Sequence, residues 1–221
     1  MADTGFSHIK TVLFDFDGTL VDTNELIVDS WRHTAMTTAG RDISVDEIRT
    51  TLGELLIDSM RRILPETDAE EALEVYRVYQ RELFLDRIRL FDGAEETLRT
   101  LKEARYKVAL VTSRMKGSTE KGLAHFGLAG YFDAVLTASD TDKAKPDPEP
   151  LLMILETISS RPEEAVYIGD TTHDIEAGRA AGVFTILVDW SFALPPEMRA
   201  DAPAPDMVIK GLRDVLALLG L

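Results

Sequence analysis

Short apolar runs recur along most of the chain, each separated from the next by a stretch long enough for a helix, and this alternation restricts the fold more than any other feature. The runs Thr11–Phe14, Lys107–Val111, Ala134–Leu136, 165–168 and 185–188 are short and rich in β-branched residues, as strands buried on both faces should be. Segments 94–104, 118–126, 150–158 and 174–181 lie between them and supply crossover helices, so the repeating unit is βαβ and the sheet is parallel. Gly182, just after Ala181, reads as a helix terminator. A proline-bearing surface loop at 194–206 precedes a last short strand at Met207–Ile209 and a closing helix. The expected fold class is α/β, a doubly wound parallel sheet.

One region breaks the alternation. Between residues 21 and 90 no strand is expected, whereas Ile27, Trp31, Thr34 and Thr38, then Leu73, Tyr76, Tyr79 and Leu83, keep helical spacing. The chain therefore divides into an α/β core of residues 1–20 and 91–221 and an inserted all-helical domain of residues 21–90. With 24 basic against 39 acidic residues the net charge is −15, which opposes nucleic-acid backbones and anionic membrane surfaces as partners. The absence of cysteine removes disulfides, thiolate catalysis and cysteine-ligated zinc. The opening stretch, Met1 to Lys10, lacks the apolar run of a signal peptide, so a soluble, cytoplasmic protein is expected.

The chemistry-bearing residues stand where the expected strands end. The first strand runs into Asp15-Phe16-Asp17-Gly18-Thr19, which places two carboxylates at the edge where open α/β sheets bind ligands. An EF-hand loop is excluded because its last position, counted from Asp15, is Leu26 rather than a bidentate Glu. The fourth strand ends in Gly169-Asp170, with Asp174 in the following helix. Taken alone, Asp170 and Asp174 could simply cap that helix. If the first and fourth strands are neighbours, all four carboxylates meet in one crevice and need a cation among them. An oxygen-only set without histidine or cysteine suits Mg²⁺ rather than zinc. Thr112 and Ser113 close the second strand, and prolines around Lys145 limit where that ammonium can point. An acidic nest, a hydroxyl and a fixed lysine together make a phosphate site.

Asp15-Phe16-Asp17-Gly18-Thr19, Thr112, Lys145-Pro146 and Gly169-Asp170 with Asp174 resemble the four ordered motifs of the haloacid dehalogenase superfamily. The resemblance spans nearly the whole chain, and the helical insert is similar to that superfamily's C1 cap over a Rossmann-like core. It implies Asp15 as nucleophile forming an aspartyl-phosphate, and Asp17 as general acid and then base. It implies Mg²⁺ held by the Asp15 carboxylate, the Asp17 backbone carbonyl and Asp170, with Asp174 either a further ligand or a support. It gives Gly18, Thr112, Ser113 and Lys145 to phosphate binding, and Thr112 and Lys145 to catalysis. Dehalogenases of the superfamily lack the second aspartate, so Asp17 directs the resemblance toward phosphoryl transfer.

The implied partner is a small phosphorylated metabolite or pyrophosphate. Length and motif form resemble phosphoglycolate phosphatases, while residues 22–27 and 145–150 resemble the bacillus-type pyrophosphatase branch. A β-phosphoglucomutase-type sugar phosphomutase shares the same motifs, and a non-catalytic phosphometabolite-binding protein is the alternative from another class. The turn 50–54, with Gly53, is either the cap's selective contact or a plain helix connection. Arg114 and Lys116 either bind an anionic leaving group or are solvated. Arg61, Arg62, His8, His33 and His125 read as surface or packing residues, and His173, between Asp170 and Asp174, either touches the site or is a variable loop position. The oligomeric state is not written in the sequence.

Overall fold

The computed structural model describes residues 5–221, so the first four residues of the expected core segment and of the opening stretch lie outside the described residues. The chain runs through β1 (Thr11–Phe14), β2 (Val21–Asp22), α1 (Asn24–Ala39), α2 (Val45–Arg49), α3 (Leu56–Ile63), α4 (Ala69–Arg87) and β3 (Arg89–Leu90). It continues with α5 (Ala94–Glu103), β4 (Lys107–Val111), α6 (Lys116–His125), β5 (Ala134–Leu136) and α7 (Glu149–Thr157). The last elements are β6 (Ala165–Gly169), α8 (Thr172–Ala181), β7 (Phe184–Val188), β8 (Met207–Ile209) and α9 (Asp214–Leu218).

Six strands form one sheet in the order β5-β4-β1-β6-β7-β8, with every neighbouring pair parallel. The short apolar runs are therefore strands because helices cover both faces. Val12, Phe14, Val108, Leu110, Val166 and Ile168 pack on one side with Leu98, Leu123 and Val215 from α5, α6 and α9. Leu13, Ala109, Val111 and Tyr167 pack on the other side with Leu151 and Ile154 of α7 and Ala177 of α8. This is the period-two division of a strand buried twice over, which leaves almost no polar position to mark a face. β1 lies between β4 and β6, and the chain crosses from one side of β1 to the other after β5, so the crevice of a switch point opens at the carboxyl ends of these strands. Gly182 ends α8 in the left-handed region at φ 75°, as its position suggests.

Helices α1 to α4 carry an apolar cluster of their own, with Trp31, Ile43, Ile48, Met60, Leu64 and Tyr76 buried together. Trp31 and Tyr76, on the facing helices α1 and α4, meet edge to face at 5.6 Å between ring centroids. The expectation that no strand falls between 21 and 90 needs correction at both ends of that span. Val21 pairs with Leu90 and Asp22 with Arg89 in an antiparallel ribbon two residues long, which carries the chain into and out of the helices. Two residues are too few to show a period, which is why the sequence hides them. Among the described residues no helix is long and apolar enough to cross a membrane.

Trp31 is 1% exposed, so truncation to alanine leaves a cavity against Tyr76. Trp31→Ala is expected to lower unfolding stability by about 3–5 kcal/mol, read as the shift of the urea midpoint.

Candidate active site

Asp15 follows β1 directly, and its amide continues the ladder by donating to the Ile168 carbonyl of β6. Its side chain is 7% exposed. The loop then turns tightly, with the Gly18 amide donating to the Val21 carbonyl at 2.9 Å. Gly18 sits at φ 72°, and a Cβ there would lie 2.2 Å from Asp170 Oδ2, so the turn and the approach of Asp170 both require glycine. The pairing of β1 with β6 thus brings Asp15 and Asp170 into one crevice. Oxygens of Asp15, Asp170 and Asp174 lie within 4.8 Å of one another, all buried, and this group could hold a metal ion.

Lys145 reaches the same crevice from the segment between β5 and α7. Its Nζ donates to Asp15 Oδ1 at 3.0 Å, to Asp174 Oδ1 at 2.6 Å and to the Tyr167 hydroxyl at 3.0 Å. Tyr167, on β6, in turn donates to Asp174 Oδ1 at 2.7 Å. The other Asp174 oxygen accepts from the backbone amides of Asp170 and Thr171 and from the Thr171 hydroxyl. Thr171 caps α8 and Asp174 completes its capping box, so Asp174 does cap the helix and also joins the site. Both Asp174 oxygens are therefore occupied by donors of the chain, whereas the Asp170 carboxylate takes part in none of these bonds.

Burial pushes the Asp15 carboxyl from its ordinary 3.8 to about 7; Lys145 pulls against this shift, and the charges of Asp174 and Asp17 add to it. Burial, followed by the charges of Asp174 and Asp15, pushes Asp170 well upward. For Asp174 burial is outweighed by Lys145 and the surrounding donors, which hold its carboxyl below the usual value. Burial likewise opposes the charge on Lys145, but Asp15 and Asp174 outweigh it and hold the ammonium well above its ordinary pKa. Three carboxylates against one ammonium leave an excess of two negative charges, which a divalent cation would balance.

The remaining predicted residues surround this group. Thr112, 4% exposed at the end of β4, accepts from the Arg114 amide at 3.1 Å. Thr112, exposed Ser113 and Lys145 line an open recess that also meets Leu55 of residues 21–90. The Asp17 side chain stands apart from the acidic group and is gripped by Arg114, whose Nη2 lies 2.8 Å from Oδ1 and Nε 2.9 Å from Oδ2. The Arg114 side chain is only 7% exposed, so the solvated reading of this arginine is corrected. Gly53, at φ 89° in the turn after α2, lies so close to the core that a Cβ would stand 2.5 Å from His173 Nδ1. His173, in the first turn of α8, thus takes the first of its two readings and meets the turn at Gly53. Arg62, read as a surface residue, braces that turn by donating to the Thr50 carbonyl at 2.8 Å and to Glu54 at 2.7 Å. Tyr167 escaped the sequence reading because an aromatic residue in a buried strand looks like core, and only its hydroxyl reaches the site.

Residues 12–188 match the family model described as haloacid dehalogenase-like hydrolase. The chain belongs to that family. Among similar proteins is the pyrophosphatase PpaX of Halalkalibacterium halodurans, 36% identical over 214 residues, covering 97% of this chain and 98% of the relative. A structure from Bacteroides fragilis, provisionally named a haloacid dehalogenase-like hydrolase, superposes with a TM-score of 0.83 at 28% identity, covering 94% of this chain and 99% of that one. A Lactobacillus plantarum structure, provisionally named a phosphoglycolate phosphatase, gives 0.80 at 25% identity over 95% and 99% of the two chains. The expected α/β core and the superfamily resemblance are thereby established, and the protein is an enzyme of the haloacid dehalogenase-like hydrolases.

A raised folded-state pKa favours the folded protein below the ordinary value and loses that contribution as pH rises. For Asp15 this loss falls between about 4 and about 7. In EDTA the melting temperature is expected to fall across this window, Mg²⁺ to raise it more at pH 8 than at pH 5, and Asp15→Asn to flatten the dependence. A Mg²⁺ effect equal at both pH values in thermal denaturation would contradict the charge account.

Proposed function

We propose that this hydrolase is a divalent-cation-dependent phosphatase that acts on a small phosphorylated compound through a covalent intermediate on Asp15. The observation that carries the reading is the buried Asp15 carboxylate, held by Lys145 through Oδ1 alone and placed beside Asp170. Oδ2 takes no hydrogen bond from the described residues and is the oxygen left to attack phosphorus.

The all-oxygen cluster, its excess negative charge and the donor-free Asp170 carboxylate fit Mg²⁺. Asp15 and Asp170, with the backbone carbonyl of Asp17, would hold the ion, and Asp174 would support it indirectly, since its oxygens are engaged by Lys145, Tyr167 and the turn at Thr171. When bound, such an ion neutralises phosphoryl oxygens that these carboxylates would otherwise repel.

Asp15 Oδ2 forms a bond to phosphorus as the bond to the leaving oxygen breaks, and the leaving oxygen takes a proton from Asp17. A water molecule then attacks the same phosphorus and gives its proton to Asp17, and the phosphorus bond to Asp15 breaks to restore the carboxylate. Lys145 holds Asp15 still and offsets its charge during both displacements. Thr112 and Ser113, just past the end of β4, would receive the phosphoryl group. Residues 21–90 would act as the cap, with the turn at Gly53 contributing the selective contact.

Inorganic pyrophosphate is the substrate favoured here, because the relative named a pyrophosphatase aligns with this chain from end to end at 36% identity. A phosphoglycolate-like monoester is the second candidate, supported by the Lactobacillus plantarum likeness. With Mg²⁺ present, phosphate release from pyrophosphate, phosphoglycolate, hexose phosphates and nucleotides is expected to be strongest on the first two. Asp15→Asn, nearly isosteric, is expected to stay folded and to lose about 10³-fold or more in kcat. Interconversion of a hexose phosphate without release of phosphate would overturn this reading in favour of a mutase, and a folded Asp15→Asn protein of unchanged activity would remove the nucleophile.

A further inference from the structure

The loop that follows β7 has no task in the reaction outlined above, yet it grips the backbone on both sides of the acidic crevice. Trp190 Nε1 donates to the Gly18 carbonyl at 3.1 Å, one residue past Asp17. Ser191, the next residue, is 4% exposed, and its hydroxyl donates to the Asp170 carbonyl. One wall of the crevice is the turn after β1 and the other is the turn after β6, and two consecutive side chains hold one each.

The loop is itself braced. Ser191 Oγ accepts from the Leu194 amide at 2.7 Å, which leaves the hydroxyl proton for Asp170. Arg199 spans the loop, with Nη2 2.9 Å from the Asp189 carbonyl and Nε 3.1 Å from the Leu194 carbonyl. Leu194 is buried with Ile175 of α8 and Leu187 of β7. The indole of Trp190 packs on Phe91, with 5.3 Å between ring centroids. Donors on adjacent residues of so fixed a loop set how far the main chain at Gly18 stands from that at Asp170. The two are already in close approach there, since a Cβ on Gly18 would lie 2.2 Å from Asp170 Oδ2.

We propose that Trp190 and Ser191 are positioning residues that hold the Asp17–Gly18 turn and Asp170 at the separation Mg²⁺ requires, and so favour Mg²⁺ over Ca²⁺. The inference rests on the reading of Asp15, Asp170 and the Asp17 carbonyl as the residues that hold the ion. Mg²⁺ demands near-octahedral coordination at about 2.1 Å, whereas Ca²⁺ accepts longer and less regular coordination. Oxygens carried on two separate turns meet the stricter demand only while the turns are held together. Neither Trp190 nor Ser191 is charged, so their removal leaves the charge of the site unchanged. A difference between the two ions then reports geometry rather than electrostatics.

Calorimetric titration of the metal-free protein with Mg²⁺, and separately with Ca²⁺, tests the inference. Trp190→Phe keeps an aromatic ring for Phe91 and loses the N–H. Its Kd for Mg²⁺ is expected to rise about tenfold and its Kd for Ca²⁺ less than about threefold. Ser191→Ala is expected to shift both constants in the same way, and carries the comparison should Trp190→Phe fail to fold. The wild-type protein is expected to bind Mg²⁺ more tightly than Ca²⁺, and the opposite preference would overturn the proposal without any variant. Equal weakening of both ions, or wild-type Mg²⁺ affinity in both variants, would also overturn it, while a wild-type result in one variant would remove that residue alone. A wild-type protein that binds no Mg²⁺ would reject the metal site itself, which is a failure distinct from that of the loop.

Discussion

The ammonium of Lys145 has three protons, and each meets a partner: Asp15, Asp174 and the hydroxyl of Tyr167. A lysine 6% exposed would be unsustainable without such pairing, and the carboxylates around it would be equally so without the lysine. The arrangement ties together parts of the chain that are far apart in sequence. Asp15 comes from the end of β1, Tyr167 from β6, Asp174 from the first turn of α8, and Lys145 from the segment leading into α7. The parallel register of β1 with β6 is what lets these groups meet, and their pairing in turn fixes the mouth of the sheet.

Close backbone approach is the second requirement. At Gly18 and Gly169 an added Cβ would fall 2.2 Å from Asp170 Oδ2 and 2.4 Å from Asp174 Cβ, so side chains from the β6 to α8 turn press directly onto neighbouring main chain. The acidic oxygens are drawn within reach of one cation by these contacts. The helical insertion then approaches the same mouth from above. Its turn at Gly53 touches His173, Leu55 lines the recess beside Thr112, and Gln80 and Phe84 meet Arg114. Its helices share a cluster around Trp31 and Tyr76, while Leu26 of α1 and Phe84 of α4 are buried in the core of the sheet itself.

Much of this was legible in the chain. The strands at Thr11–Phe14 and Lys107–Val111 stand where their apolar runs placed them, because burial on both faces leaves a continuous signature, and the edge strand Ala134–Leu136 stands where its run placed it too. Asp15 and Asp170 were readable because charged residues directly after such runs have no part in packing, and Lys145 because prolines flank it in its loop. Arg114 and His173 were readable only as one of two alternatives, and Arg62 and Tyr167 not at all, since each belongs to a residue type with an ordinary explanation at its position. Arginine next to a helix start is commonly solvated, and tyrosine within a strand is commonly core. Their partners Asp17, Glu54, Asp174 and the backbone beside Gly53 are distant in sequence or hidden in local geometry, and contact between them is a product of packing.

The sequence by itself determined the alternation of strands and helices, the helical character of residues 21–90, the carboxylates after the strands and the proline-flanked lysine. These follow from local causes: apolar period, chain length between runs, and the cost of placing a charge inside a core. Tertiary structure alone decided the strand order that makes β1 and β6 neighbours and the occupation of both Asp174 oxygens. It also decided the grip of Arg114 on Asp17 and the contact of the insertion with His173. Each of these depends on which surfaces of remote segments come together, and side-chain packing in three dimensions, rather than any periodicity along the chain, selects that.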